Sequence, residues 1–174
     1  MFKYRESTNH KETKLYNKIL NLSRNKLLYT RLSLSDTFQN RINLIFIHIC
    51  FVFILIKYKK NTLAYKEFYQ KMFDLIFRKI ELNMREIGHG DVTVNKNMKF
   101  LVKSFYNILL NCENFKRKSF GDKNVFLSRY LDVNEYQNKV NNELLISYFD
   151  KYQAFCFDLN SDSVLKGNLK FNYK

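Results

Sequence analysis

Apolar side chains recur at steps of three and four along most of this chain, a spacing that predicts helices rather than strands. Leu15, Tyr16, Ile19, Leu20 and Leu22 form a first stripe, and a short second piece centres on Leu27, Leu28 and Tyr29. Ser35 or Asp36 can cap the helix after that, because a short side-chain oxygen there accepts an orphan backbone N–H. Tyr65, Tyr69, Met72, Ile76, Ile80, Met84 and Ile87 mark a long amphipathic helix over 62–87. Val94, Met98, Leu101, Phe105, Ile108 and Cys112 mark another over 94–112. Residues 111–124 read as a basic connection containing Gly121, and 126–131 as a short helix. Tyr136, Val140, Leu144, Tyr148, Tyr152 and Phe155 predict a last long helix. From Ser161 the period fades, and an extended tail packing through Leu165, Leu169 and Phe171 is expected. The pattern predicts an all-α fold: a polar tail over 1–14, then one helical domain over 15–174 around a central apolar helix.

That central helix is the run INLIFIHICFVFILI at 42–56, apolar all round. Two placements suit it, the middle of a helical domain or a membrane. Its 15 residues span about 22 Å, short of the ~30 Å hydrocarbon core of a bilayer. Arg41 closes one end and Lys57, Lys59 and Lys60 the other. His48, in the middle, favours burial in protein, where an imidazole finds a hydrogen-bond partner.

Composition narrows the picture further. The chain has 174 residues, 46% hydrophobic and 17% aromatic, enough for one domain with a real core. Three scattered cysteines, Cys50, Cys112 and Cys156, show no metal or redox spacing and read as buried thiols in a reducing compartment. The net charge of +14 points to an anionic partner: nucleic acid, a ribosome or an acidic membrane surface. Richness in Lys, Asn, Ile, Phe and Tyr also fits an AT-rich genome, so charge alone selects no ligand. Lys96, Lys99 and Lys103 line up at helical steps as a basic ridge and are the candidate docking charges. The N-terminus has no apolar segment of the secretory kind.

Two of the four glycines sit in MREIGHGDVTV at 84–94. Neither a dinucleotide fingerprint nor a phosphate loop fits the spacing. Gly88 is placed for the left-handed residue just past a helix end, and Asp91 or Thr93 can cap the next helix. His89 and Asp91 make two metal ligands, which is short of a site. No nucleophile stands in a catalytic context, and neither a cofactor nor a metal is expected.

The same residues carry a resemblance. Asp36 and Thr37, with Arg41 and then His48, resemble a pattern DTxxGR followed by a helix with a central His. Arg85, Glu86, Gly88, Gly90, Asp91 and Val94 resemble REMGxGDxxV, and Lys96, Met98 and Lys99 continue it. This is similar to the ubiquinol–cytochrome c chaperone family, whose mitochondrial members assist assembly of the respiratory cytochrome bc complex. The likeness runs from about Leu15 through Cys112 and, more weakly, to Gly167 and Phe171. Asn40 stands where the family often has Gly, and a left-handed turn survives there because Asn tolerates that conformation.

The resemblance implies a non-enzymatic assembly chaperone. Mitochondrial members bind newly made cytochrome b near the ribosomal exit tunnel, together with a small partner protein. The expected partners are therefore a membrane-protein client, a ribosome, an anionic membrane surface and a small protein. The length and the polar start look like a bacterial, alphaproteobacterial member, cytoplasmic or peripheral on the inner membrane; a eukaryotic member would sit in the mitochondrial matrix. Asp36, Thr37, Arg41, His48, Arg85, Glu86, Gly88, Gly90 and Asp91 are the candidates for shaping the client surface. Arg85, Glu86 and Asp91 together read as a buried polar latch between two helices, the favoured role, or as a contact to the client. A ribosome- or RNA-binding protein with no client is the alternative.

Overall fold

A computed structural model describes residues 10–60, 62–133 and 138–173. In chain order the helices are α1 (His10–Ser23), α2 (Lys26–Thr30), α3 (Phe38–Lys59), α4 (Thr62–Glu86) and α5 (Asp91–Glu113). A 3-10 turn at Phe115–Arg117 leads to α6 (Phe120–Tyr130), α7 (Asn138–Asp158) and α8 (Ser161–Leu165). Among the described residues the extended backbone pairs at one isolated bridge, Leu34 with Val133. The expected all-α fold is observed. Residues 1–9 of the predicted tail, Tyr136 and the side chain of Val140 lie outside the described residues.

The apolar run explains the architecture. Every residue from Ile42 to Ile56 is buried, because α1, α4, α5, α7 and α8 pack around α3. Each fully buried Ile, Leu or Phe there contributes about 1.5–3 kcal/mol of transfer free energy. The helix has 22 residues, not 15, and at 1.5 Å per residue spans about 33 Å. Length therefore does not separate the two placements. The most apolar 18-residue window, with mean hydropathy 1.9, would suffice for a bilayer, yet 83% of it is buried by the other helices. The lysines at its end are also committed. Lys57 pairs with Glu113 at 2.6 Å, and Lys60 pairs with Asp162. Lys59 donates to the carbonyls of Phe157 and Leu159 at 2.6 and 2.9 Å, where the C-terminal dipole of α7 favours a cation. These three close the end of a helix bundle.

The amphipathic stripes bury as their periods require. Leu15, Tyr16 and Ile19 of α1 are buried, as are Met72, Ile76, Ile80 and Met84 of α4. Val94, Leu101, Phe105, Ile108 and Cys112 of α5 are buried too. Ile87 is the exception, 62% exposed, because α4 has already ended. All three cysteines are free and buried.

Several boundaries differ from the sequence reading. α3 is capped by Thr37, whose hydroxyl accepts the Asn40 N–H at 3.1 Å, while Asp36 is occupied with Arg41. α6 starts at Phe120 rather than 126, because Ser119 accepts the Asp122 N–H as its cap, so Gly121 is helical. The tail does not begin extended: Asn160 caps the short α8, and only the chain beyond it is irregular. Leu169 is buried there, and the Phe171 ring meets Tyr148, Tyr152 and Phe155.

Gly167 makes that return possible. It has φ +78° as the C-terminal stop of α8, and a Cβ there would lie 2.6 Å from the Lys11 carbonyl on α1. Strain and clash act together, so Gly167→Ala is expected to destabilise the chain by about 2–4 kcal/mol, measured by urea unfolding.

Candidate functional site

A groove of about 1060 Å³ lies between the start of α3, the middle of α5 and the chain leaving α6. Thr37, Gln39, Asn40 and Asn43 supply one wall, and Phe100, Lys103, Ser104 and Asn107 another. Ser128 to Val133 and Asn142 complete it. Its frame is built by side-chain amides. The Asn40 Nδ2 donates to the carbonyls of Ser35 at 2.7 Å and Asp132 at 2.9 Å, and its Oδ1 accepts the Asp132 N–H at 2.9 Å. Asn40 thus reads the Asp132 peptide as a neighbouring strand would, using donor and acceptor together. The Ser35 N–H donates to the Asp132 carbonyl, and Asn43 donates to the Tyr130 carbonyl at 2.6 Å.

Asn40 is therefore not a left-handed turn residue. It lies within the first turn of α3, 2% exposed, as a clamp between α3 and the segment after α6. The sequence pattern presents Asn40 as a turn residue and does not single out Asn43 or residues 128–133. A signal was present: Gln39, Asn40 and Asn43 are amides at the head of an otherwise apolar helix.

The glycine joint follows a complete C-terminal stop motif. The Gly88 N–H donates to the Arg85 carbonyl and the His89 N–H to the Met84 carbonyl, with Gly88 at φ +94°. α5 then starts with Gly90 as its cap residue, without a side-chain cap bond, so neither Asp91 nor Thr93 has that role. Asp91 instead binds the Arg85 guanidinium, which also binds Glu81 one turn back at 2.9 Å. The two carboxylates, Asp91 first, raise the Arg85 pKa. The latch joins α4 to α5 as expected, but it is exposed, and Glu81 takes the place expected for Glu86. One turn along α4, residue 81 faces the same side as 85, whereas 86 does not.

The other candidates lie elsewhere. Asp36 holds Arg41 through two bonds of 2.6 and 2.8 Å, and that guanidinium lowers the Asp36 pKa. The pair lines a separate cleft of about 500 Å³ with Arg24, Lys26, Tyr29 and Thr30. His48 is fully buried. Its Nδ1 lies 2.6 Å from the Leu44 carbonyl, which can only accept, so Nδ1 carries the proton and Nε2 accepts from the Tyr148 hydroxyl at 2.8 Å. Both ring nitrogens are thereby committed. Tyr152 donates to the His48 carbonyl at 3.2 Å, so α3 and α7 are joined twice inside the core. Lys96, Lys99 and Lys103 stand on the exposed side of α5 and have no carboxylate partner among the described residues. No group of three or more His, Cys, Asp or Glu suited to a metal ion occurs among the described residues.

A family profile described as ubiquinol-cytochrome C chaperone matches residues 30–171. The chain belongs to the ubiquinol-cytochrome C chaperone family. The fold agrees: a crystal structure of the Cbp3 homolog from Brucella abortus superimposes with a TM-score of 0.77 at 19% identity, covering 94% of this chain and 90% of that one. No curated protein matches. Membership supports a chaperone or assembly role. The residues that carry the resemblance divide among four places: Thr37 on the groove, Asp36 with Arg41 in the adjoining cleft, His48 in the core, and Arg85, Glu86, Gly88, Gly90 and Asp91 at the α4–α5 joint.

Two measurements test this geometry. Asn40→Ala takes the acceptor from the Asp132 N–H and one of two donors from each of the Ser35 and Asp132 carbonyls, and should cost about 1–3 kcal/mol in urea unfolding. His48 is pushed down to about 4 from its ordinary 6.5, chiefly by burial, with the bond to Leu44 opposing. Below pH 6.5 the unfolded chain takes up a proton that the folded chain refuses. Stability therefore falls as pH drops from about 6.5 to about 4, by up to about 3 kcal/mol. A His48→Gln variant should lose this slope while starting from a lower stability at pH 7.

Proposed function

We propose that this family member is a non-enzymatic chaperone for assembly of the respiratory cytochrome bc complex, holding cytochrome b or a similar membrane-protein client during synthesis or insertion. The observation that carries the proposal is the family match over residues 30–171. The groove beside α5 supports it physically. A receptor for a helical client needs a concave surface between helices with apolar and polar contacts side by side. Here Phe100 is 60% exposed on the rim, with Lys103 and Asn107 beside it. The protein would work in the cytoplasm or on the inner face of the membrane, and in the mitochondrial matrix of a eukaryote. A small partner protein and an anionic membrane surface belong to the same reading.

The net charge of +14 favours a second reading, docking on ribosomes or RNA without a client. It requires binding that weakens steeply between low and moderate salt. Deleting the gene separates the two. The client reading expects loss of the bc-complex cytochrome spectrum and of cytochrome b; a normal spectrum with normal cytochrome b rejects it.

A further inference from the structure

The exposed side of α5 is unusual in what it leaves unpaired. Val92, Lys96, Lys99, Lys103, Tyr106 and Leu110 follow one another at steps of four, three, four, three and four. All six are exposed, Val92 by 85% and Leu110 by 64%. That is the spacing of a seam on which a second helix lies. Over 92–110 it runs about 27 Å along the helix. The seam is apolar at its ends and cationic in the middle. Between Asp91 and Glu113 the helix carries no carboxylate, and none from another described element reaches the three lysines. The lysines at the end of α3 are all tied to acceptors within the fold, so the contrast is between two sets of the same residue type.

We infer that α5 and the groove beside it receive an acidic amphipathic helix of a protein partner, with carboxylates against Lys96, Lys99 and Lys103 and apolar side chains against Val92, Tyr106 and Leu110. This rests on the chaperone reading and sharpens it. The segment held is an acidic, water-exposed helix of the client or its partner subunit, not the apolar middle of a membrane span. Charge complementarity selects the acid. Shape selects a helix over a bilayer, because a flat surface does not enter the concavity at Phe100 and Lys103, and an anionic bilayer is read by clusters of about four to eight cations. Exposed Val92 and Leu110 favour it over RNA, whose phosphates make no use of apolar ends.

The probe is a synthetic helical peptide of about 20 residues, long enough to cover the seam. It carries Glu at the central seam positions and Leu at the flanking ones. It should bind the full chain, weaken with rising salt, and lose affinity roughly tenfold or more on the triple variant Lys96→Gln, Lys99→Gln, Lys103→Gln. All three lysines are exposed, and circular dichroism should show the variant folded. A second variant, Leu110→Ser, tests the apolar end and should weaken the same peptide without altering its salt dependence. Equal binding of a peptide with Gln in place of Glu, or equal binding by the triple variant, overturns the proposal. So does Lys-dependent binding to phosphatidylglycerol vesicles or RNA with none to the peptide. Failure of the peptide while gene deletion still abolishes the bc spectrum removes this surface and leaves the chaperone role standing. A normal spectrum with Lys-dependent peptide binding does the reverse.

Discussion

A helix with no polar face has to be covered on every side, and α3 imposes that requirement on everything around it. Its residues from Ile42 to Ile56 are buried, and five other helices supply the cover. Each of those helices needs only one apolar stripe, which is why the rest of the chain is amphipathic while α3 is not. His48, a polar side chain deep in this core, is acceptable because both ring nitrogens find partners. Its bond to Tyr148 also fixes the register of α7 against α3 more narrowly than apolar packing does, since a shift by one turn orphans both groups.

Covering α3 also decides what is left for function. The apolar stripes of α1, α4 and α7 face inward, and the lysines at the end of α3 are used as ties. The side of α5 that carries Lys96, Lys99 and Lys103 stays outward, with the groove next to it. The groove is held by amide clamps from Asn40 and Asn43 together with the buried Leu131. A wall held by hydrogen bonds keeps its shape at the rim of the core, where apolar contacts are thin. The fold therefore separates a rigid interior from a surface with free charge and free apolar ends.

The motif that marks the family turns out to be mechanical at its centre. Gly88 stops α4, Gly90 begins α5, and Arg85 with Asp91 spans the turn on its exposed side. An exposed ion pair adds little to stability, but it orients two helices whose relative angle positions the α5 seam. Asp36 and Arg41 do the same at the head of α3, beside the groove. The candidate residues are thus scattered over four places and linked through the helices they set.

Period alone determined the long amphipathic helices and their buried faces, because a 3.6-residue repeat of apolar side chains has one favourable outcome in water. The stop at Gly88 was legible for an equally local reason, a backbone conformation that Gly adopts at little cost. Tertiary structure decided what depends on a distant partner. Asn40 looked like a turn residue until Asp132, 92 positions away, came beside its amide. Thr37 took the cap because Arg41 had drawn Asp36 aside. The lysines near α3 and those on α5 are alike in sequence, and only the approach of Glu113, Asp162 and the end of α7 set the first group apart. Local chemistry says which side chains can pair; the fold says which ones meet.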